Sequence, residues 1–592
     1  MWAVVGMAVG AGLAVGSADQ PVYMTPGKIY PPPTGVHVTR GVPGGEAPVP
    51  LSDSSFSIVA GADASQTLQK AITRLRVAPF AYGPAPPAPP YTLKVEVNQQ
   101  QIASTVDEGV IDPDESYELN VTSASAIIVA RTDFGALRGL NSFVQLVQYN
   151  LTAQANYVII PQLITDSPRL AYRGVMVDTG RVFISVAQLR TLCNAMEAWR
   201  FNALNIHLTD VQSWPMEIDG LPNLSGLLSY MHETQRHVYS IADARNLSQH
   251  CLERGVRVIP EIDAPGHFPA AAAYPELGVC LRRSGPNCTK RGLFDITSEQ
   301  AWSTLEKLWT SIIESFPTGE YNIGGDEVDM ALWKSPSISD WNQKYADGCP
   351  DDPNITCATS SDLHPYFTRR LISIIRKLSP TARVMGWSPG IGGFYKYGTL
   401  ATRYPYVSYL NWNGYSPRGH WQDSMATMTE NEEASVILAG PYYVVEPKYP
   451  DCLKDPNRML YDWEQMMHVD PLNFTGSTVA KSRVRGAMLT MWGDITGADS
   501  VTATPTALPY MAAMSSTLWH APPGHYADPN NLTHMASCEG SDDQACNDLA
   551  SARCKMLAMF GLTAGGFSGP KHISQGCLVP YDPTASLYRD YP

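Results

Sequence analysis

The stretch Tyr321-Asn322-Ile323-Gly324-Gly325-Asp326-Glu327 joins a short run of strand-forming residues to two glycines and two adjacent carboxylates. Glycine lets a backbone turn sharply and approach another group closely. Two carboxylates held side by side cannot both ionise cheaply, so one of them tends to keep its proton near neutral pH. The stretch therefore predicts a strand that ends in a tight turn and presents two acids with different protonation.

Similar strand-like runs lie on both sides of this one, between about residues 168 and 510, and helical patterns separate several of them. The predicted strands are 174–178, 203–208, 256–262, 321–325, 383–387, 407–412, 435–439 and 484–492. Eight such units over this length are typical of a (β/α)8 barrel, an α/β fold. A doubly wound parallel sheet is the main rival, and it would need a reversal of strand order.

The rest of the chain divides by composition. Residues 1–18 hold a short apolar run that ends in small residues, which favours a signal peptide over a membrane span. Residues 19–166 combine alternating strand patterns with one helical pattern at 135–148, which predicts a smaller α+β domain. The barrel is expected over 167–510, and a Cys-rich carboxyl-terminal extension over 511–592.

Charge and cysteine content indicate the compartment and exclude some partners. The 592-residue chain has a formal net charge of −14, which argues against a nucleic-acid partner. Its 11 cysteines lack the close pairs of zinc sites, so disulfides in an oxidising compartment are expected. Because the count is odd, at least one thiol is free or pairs with another chain, and Cys193 and Cys251 are the candidates.

Glycosylation sequons support the same compartment. They begin at Asn120, Asn150, Asn223, Asn246, Asn287, Asn354, Asn473 and Asn531. Together with the predicted leader, they favour a glycoprotein of the secretory pathway, lysosomal, vacuolar or extracellular, with no membrane span once the signal is removed.

Polar and aromatic residues follow the predicted strands at the point where each strand ends. They are Asp178, Asp210, Asp263, His267, Asp326, Glu327, Trp387, Trp412, Tyr443, Trp492 and Asp494. Taken singly, such an aspartate more often caps a helix, and such a tryptophan more often packs in a core. In a barrel, however, the carboxyl ends of the strands form the active site, so these side chains should meet. Because carboxylates bind sugar hydroxyls and indoles pack on sugar faces, the joint pattern indicates a carbohydrate site.

Six strings, in order, carry a resemblance to a known family. They are GALRGLNSFVQLV (135–147), YRGVMVDTGR (172–181), FNALNIHLTDVQSW (201–214), PEIDAPGH (260–267), YNIGGDEV (321–328) and MWGD (491–494). The chain resembles the family 20 β-N-acetylhexosaminidases, which include lysosomal hexosaminidases. The resemblance implies a small α+β domain before a catalytic barrel, and an exo-acting hydrolase that removes terminal β-linked GlcNAc or GalNAc from oligosaccharides or glycoconjugates.

The resemblance also implies a role for each site residue. In this family the substrate's own 2-acetamido oxygen is the nucleophile, in place of a second carboxylate. Glu327 would be the general acid and later the base, and an ionised Asp326 would orient the acetamido group. Arg173 and Asp494 would contact the sugar, and Asp210 and His267 would form a polar network around Glu327. Trp387, Trp412 and Trp492 would wall the acetamido pocket. Tyr443 would donate a hydrogen bond to the acetamido carbonyl. We expect no metal ion and no organic cofactor, and the resemblance allows a homodimer although no sequence feature marks an interface.

Several positions depart from the family pattern and leave the sugar preference open. Val211 occupies the position where the family usually has a second acid after Asp210, and Ser388-Pro389 occupy the place of a polar or acidic pair after Trp387. Val445 replaces the Asp or Asn that usually lies two residues after the tyrosine, here Tyr443, and Asp494 replaces the Glu that usually follows the tryptophan, here Trp492. Glu446 is a candidate replacement for the acid missing at 445. Two rival functions remain at this stage: a sugar-binding protein on the same scaffold, and an endo-acting or disaccharide-releasing enzyme.

Overall fold

A computed structural model of the protein describes residues 35–37, 48–62, 64–80, 85–98, 112–150, 156–232, 234–284, 287–333, 336–350, 356–388, 405–413, 421–431, 434–444, 466–467, 469–493 and 503–520. The predicted signal peptide, most of the predicted Cys-rich extension, and Pro389, Val445, Glu446 and Asp494 lie outside these residues. Within them, none of the helices is both long enough and apolar enough to cross a membrane.

The amino-terminal part is a small α+β domain, as predicted. Its strands are β1 (Gly35–His37), β2 (Val49–Leu51), β3 (Phe56–Ala60), β4 (Tyr91–Val97), β5 (Tyr117–Val121), β6 (Ser125–Ala130), β7 (Gln148–Asn150), β8 (Asn156–Ile159) and β9 (Gln162–Asp166). The main sheet has the order β1-β9-β5-β6-β4-β3, and β2, β8 and β7 form a second sheet. Helices α1 (Gln66–Leu75) and α2 (Asp133–Leu146) pack against each other and α2 covers β5 and β6.

Helix α2 also joins this domain to the rest of the chain. Every residue of α2 is buried. Arg138 on α2 donates to the backbone carbonyls of Phe201 and Gly255, at 3.3 and 3.1 Å, and pairs with the buried Glu115. Because a buried guanidinium is costly without partners, these bonds fix the domain against the loops that precede two barrel strands.

The second part is a closed parallel barrel of eight strands. They are β10 (Tyr172–Asp178), β11 (Ala203–Thr209), β14 (Arg257–Ile262), β17 (Glu320–Asn322), β18 (Arg383–Trp387), β19 (Val407–Asn411), β20 (Ser435–Leu438) and β21 (Val484–Met491). Each predicted strand is present, and β21 pairs with β10 to close the ring. This closure confirms the predicted (β/α)8 barrel and excludes the doubly wound sheet.

Helices and two short hairpins surround the barrel. The helices are α3 (Val186–Ala198), α4 (Asn223–Leu228), α5 (Ile241–Leu252), α6 (Ala270–Ala273), α7 (Glu299–Ser315), α8 (Pro336–Lys344), α9 (Ser360–Leu378), α10 (Trp421–Ala426), α11 (Thr478–Ser482) and α12 (Ala503–Trp519), and the hairpins pair β12 (Met231–His232) with β13 (Gln235–Arg236) and β15 (Gly278–Ser284) with β16 (Asn287–Phe294). Serine side chains cap α3, α5 and α7 by accepting a backbone N–H of the first turn. Helix α12 crosses the predicted boundary at residue 510, because it packs on β10, β21 and α3 as part of the barrel layer.

Disulfides join two pairs of cysteines whose side chains the structure describes. Cys349 bonds to Cys357, and Cys193 on α3 bonds to Cys251 on α5. Cys193 and Cys251, the candidates for a thiol that is free or pairs with another chain, are therefore bonded to each other, and that interpretation is wrong. Helices α3 and α5 are neighbours on the barrel surface, which brings two cysteines 58 positions apart in sequence within bonding distance.

The barrel interior is apolar in its middle and polar at its carboxyl-terminal end, while at its amino-terminal end the buried Glu320 pairs with Arg485 and Arg257 at 2.6 and 2.8 Å. The apolar residues are Tyr172, Met176, Ala203, Ile259, Met385, Leu410, Ile437 and Met488, all fully buried. Above them the strands contribute His207, Glu261 and Asn322, which are also fully buried. Because buried polar groups need hydrogen-bond partners, these side chains form a network at the end of the barrel where the predicted site residues lie.

Candidate active site

The turn after β17 depends on its two glycines and on one aspartate from a neighbouring strand. Gly324 and Gly325 have φ angles of +63° and +91°, which favour glycine. A Cβ on Gly324 would lie 2.1 Å from Oδ1 of Asp263, so no side chain fits there. The same Oδ1 accepts the backbone N–H of Gly325 at 2.7 Å. Asp263, which follows β14, therefore fixes the turn that presents Asp326 and Glu327.

The two acids of this turn occupy different environments. Asp326 is half-buried, and its Oδ1 is shielded from solvent and has no hydrogen-bond partner among the described residues. Burial, followed by the nearby Asp263 carboxylate, raises the pKa of Asp326 well above its usual range. Glu327, by contrast, is 62% exposed, and its φ of +50° is unusual for a residue with a side chain. The surroundings of Asp326 thus oppose the expectation that it is ionised, and Glu327 is the acid of the pair that is open to solvent.

His267 links Asp263 to Glu327. Its Nδ1 lies 2.8 Å from Oδ2 of Asp263, and its Nε2 lies 3.5 Å from Oε2 of Glu327. The hydrogen bond to Asp263 raises the pKa of His267 to about 9, although burial opposes this. His267 is therefore a cation below that pH, and it lies between the residue that shapes the turn and the exposed acid.

Arg181 and Asp210 form a second charged group at the same end of the barrel. The Arg181 guanidinium donates to Asp178 at 2.9 Å and pairs with Asp210 at 2.8 Å. It lies 5.3 Å from the ring centroid of Trp492, over the indole face. Asp210 is close to the first group, since ligand atoms of Asp210, Asp263 and His267 all lie within 4.8 Å of one another.

Arg173 is not part of this site, and the prediction that it binds the sugar is corrected. It lies at the amino-terminal end of β10, whereas the acids follow the carboxyl-terminal ends of the strands. Its side chain is 1% exposed, and it donates to Glu115 and to the carbonyl of Arg200 at 2.7 Å. Arg181, in the same matched string, follows the other end of β10. The rule that barrel sites form at carboxyl-terminal strand ends would have selected it.

Aromatic side chains form one wall of the site. The rings of Trp387 and Trp492 have centroids 5.4 Å apart, and Tyr443 lies 6.4 Å from Trp492. Trp412 packs at the edge of this cluster, and its indole N–H donates to the carbonyl of Ser388. All four predicted aromatic residues thus meet at one place. Trp387 itself is fully buried, which makes it part of the pocket floor.

Asp210, Asp263 and His267 have the donor atoms and the spacing of a small cation site. These atoms already have protein partners, however. Asp210 bonds to Arg181 and His207, and Asp263 bonds to His267 and to the Gly325 N–H. Two nearby cationic side chains balance the charge of the carboxylates, so the chemistry of the group does not require a metal ion.

The departure at Val211 lies at the rim of the cleft. Its side chain is 61% exposed, and its backbone N–H donates to Oδ1 of Asp210 at 2.6 Å. Val211 thus replaces an acid with an apolar surface beside Asp210, while its backbone still holds that aspartate.

Comparison with known proteins finds matching family models and curated relatives. Residues 170–522 match the model of the glycosyl hydrolase family 20 catalytic domain, and residues 29–146 match the model described as beta-acetyl hexosaminidase like. Among curated proteins, the beta-hexosaminidase subunit beta of Mus musculus is 28% identical over 76% of this chain and 74% of its own length. The chitooligosaccharidolytic beta-N-acetylglucosaminidase of Bombyx mori is 34% identical over 39% of this chain and 40% of its own length.

Solved structures show the same fold. A Flavobacterium johnsoniae chitobiase aligns with a TM-score of 0.68 at 22% identity, over 90% of this chain and 73% of its own. A Vibrio harveyi exo beta-N-acetylglucosaminidase, solved in complex with N-acetylglucosamine, also has a TM-score of 0.68, at 19% identity, over 92% of this chain and 79% of its own.

Proposed function

This chain belongs to glycosyl hydrolase family 20, and from that premise we propose that it removes terminal, non-reducing, β-linked GlcNAc or GalNAc from oligosaccharides or glycoconjugates. The observation that carries the proposal is the turn after β17, in which Asp326, half-buried with its Oδ1 shielded from solvent, adjoins an exposed Glu327. One carboxyl is shielded from water beside the aromatic pocket, and the other is available to a leaving group in the cleft.

The proposed chemistry has two steps with the substrate's acetamido group as nucleophile. In the first, the acetamido oxygen attacks the anomeric carbon while Glu327 gives its proton to the departing glycosidic oxygen. In the second, water attacks the same carbon, Glu327 takes a proton from it, and the bond to the acetamido oxygen breaks. Asp326 in its carboxylate form would accept the acetamido N–H and balance the positive charge of the intermediate. Two inversions give net retention.

The remaining contacts follow from the positions of the side chains. Trp387, Trp412 and Trp492 would enclose the acetamido methyl group and the sugar face, and the Tyr443 hydroxyl would donate to the acetamido oxygen. Arg181, in place of Arg173, would join Asp210 in binding outer sugar hydroxyls, since a guanidinium offers planar, directed donors. Asp494 stays a predicted hydroxyl ligand.

The secretory pathway is the proposed location, and the two disulfides and the predicted signal peptide support it. A homodimer remains a prediction from the family resemblance.

The test compares three aryl glycosides that differ only in the sugar. We expect hydrolysis of the β-GlcNAc or β-GalNAc substrate, with the β-anomer of the free sugar appearing first by NMR, and no measurable hydrolysis of the matching β-glucoside. The reason is that a glucoside carries no acetamido nucleophile. Binding of GlcNAc without turnover would instead support a sugar-binding protein, and equal activity on the glucoside would contradict substrate assistance. Product analysis on a chitin oligomer separates exo from endo cleavage.

The corrected arginine assignment makes a second prediction, tested by the paired variants Arg181→Met and Arg173→Met. We expect Arg181→Met to lower kcat/KM by roughly 10–100-fold, mainly through KM, because hydrogen bonds from a charged donor are lost. Arg173→Met should lower the melting temperature instead, since it leaves Glu115 buried without one of its cations, at a cost of about 3–5 kcal/mol. A larger kinetic loss in folded Arg173→Met than in Arg181→Met would restore the original assignment.

A further inference from the structure

His207 lies beneath the site with a carboxylate at each ring nitrogen. It is the register partner of Glu261 on the adjacent strand β14 and of Asp178 on β10. Its Nδ1 is 2.9 Å from Oε1 of Glu261, and its Nε2 is 3.0 Å from Oδ2 of Asp210. His207, Glu261 and Asp210 are all fully buried. The proposed function assigns no role to His207 or Glu261.

The other contacts of the two carboxylates show that both are ionised. Glu261 also accepts the indole N–H of Trp387 at 2.8 Å and the side-chain amides of Asn205 at 2.6 Å and Asn322 at 2.8 Å. Asp210 also accepts Arg181 at 2.8 Å and the backbone N–H of Val211. Since every contact is with a donor, neither carboxyl has a position for a proton.

Both ring nitrogens of His207 must therefore donate. A neutral imidazole has one donor nitrogen and one acceptor nitrogen, and the acceptor would face a carboxylate oxygen. In a fully buried place that repulsion has no water to relieve it. Only the imidazolium satisfies both contacts, so the geometry requires a positive charge at His207.

This ring connects the two halves of the pocket. On one side it holds Asp210, whose partner Arg181 covers the face of Trp492. On the other side it holds Glu261, which fixes the indole of Trp387. The edge of the ring also meets Trp492, with centroids 5.0 Å apart. A substitution at His207 should therefore displace both Asp210 with Arg181, which are proposed to bind sugar hydroxyls, and Trp387 in the proposed acetamido pocket.

We infer that His207 is a positioning residue that stays protonated. It fixes Asp210 and Arg181 relative to Trp387, and it places a positive charge close enough to Asp326 to interact with that carboxyl. The inference rests on the proposed function for its kinetic consequences. The electrostatics agree with it. Burial alone would lower the pKa of His207, but Glu261, Asp178 and the bonds to Asp210 and Glu261 raise it well above the usual range. His207 in turn opposes the rise in the pKa of Asp326.

The kinetic test uses His207→Gln, which keeps the length of the side chain and one donor but removes the charge. We expect kcat/KM to fall roughly 10–100-fold, since small displacements of binding groups are costly. The acidic limb of the pH profile should also move to higher pH, because Asp326 loses a neighbouring cation. Adding Glu261→Gln removes one negative charge as well and should return that limb toward its original position. A purely structural residue would leave the limb unmoved in both variants, which would overturn the inference.

A matched control is His250→Gln. His250 is also largely buried and bonds to Asn194 on α3, but its pKa is lowered to about 3 by burial and nearby arginines, so no charge is lost. Its pH profile should match that of the wild type.

The charge of His207 can be measured without activity. In protein with ¹⁵N-labelled histidine, and with His207→Gln to assign the signal, we expect both ring nitrogens to keep their protons well above the pH at which an ordinary histidine titrates. A ring that titrates near pH 6.5 in active enzyme would overturn this inference alone. An inactive wild type would instead overturn the proposed function, while the ring measurement would still decide the protonation of His207.

Discussion

Glu327→Gln should lower kcat/KM for a β-GlcNAc substrate with a poor, alkyl-type leaving group by roughly 10²–10⁴-fold. Glutamine keeps the shape of the side chain but has no proton to give to the departing oxygen. For a dinitrophenyl leaving group, which needs no proton, kcat/KM should change little, because this parameter reports the first step. The measurement is therefore the dependence of kcat/KM on the pKa of the leaving group, which should become much steeper in the variant.

The control for this prediction is Glu314→Gln. Glu314 is an exposed acid near the carboxyl end of α7, just before the amino-terminal end of β17, on the far side of the barrel from the site. Its variant should match the wild type on both substrates. If Glu327→Gln lost the same factor with both leaving groups, Glu327 would be a binding residue, and the general acid would have to be sought elsewhere among the acids of the cleft.

The barrel was predictable because its strands are buried on both faces and therefore stand out as continuous apolar runs. The position of most site residues followed from one topological fact, that parallel strands bring their carboxyl ends to one rim. The same fact excludes Arg173 from the site. Arg173 precedes the middle of β10 and points toward Glu115, whereas Arg181 follows the strand and reaches Asp210.

Other features depend on contacts that a single sequence does not specify. The Cys193–Cys251 disulfide requires α3 and α5 to be neighbours. The charge on His207 requires the register that sets it opposite Glu261. The environment of Asp326 depends on Asp263, which follows a different strand and enters the turn only because Gly324 leaves room for it. In each case the neighbours of a residue along the chain do not predict its contacts, because the partner that matters comes from another helix or strand.

After Glu327, Asp326 is the residue whose substitution should have the largest effect on activity, and its environment depends on such a contact from another element. The variant Asp326→Asn tests its role. An asparagine fits the same space but cannot balance the positive charge that develops as the acetamido oxygen attacks. Removal of one such preorganised electrostatic contact costs roughly 10²–10³-fold in kcat. We expect a loss of that size on the dinitrophenyl β-GlcNAc substrate, where protonation of the leaving group is not needed.

The pH dependence gives the sharper evidence. Only the carboxylate form of Asp326 can stabilise the intermediate, so kcat/KM of the wild type should fall as the pH drops through the pKa of Asp326. Since burial and Asp263 raise that pKa, the fall should begin at a higher pH than for an ordinary aspartate. Asp326→Asn has no group to titrate there, so its acidic limb should flatten while the overall rate stays low. If the acidic limb persists unchanged in the variant, another group controls it, and the raised pKa of Asp326 has no part in the chemistry. The first candidates are then Asp263 and His267, which are hydrogen-bonded to each other.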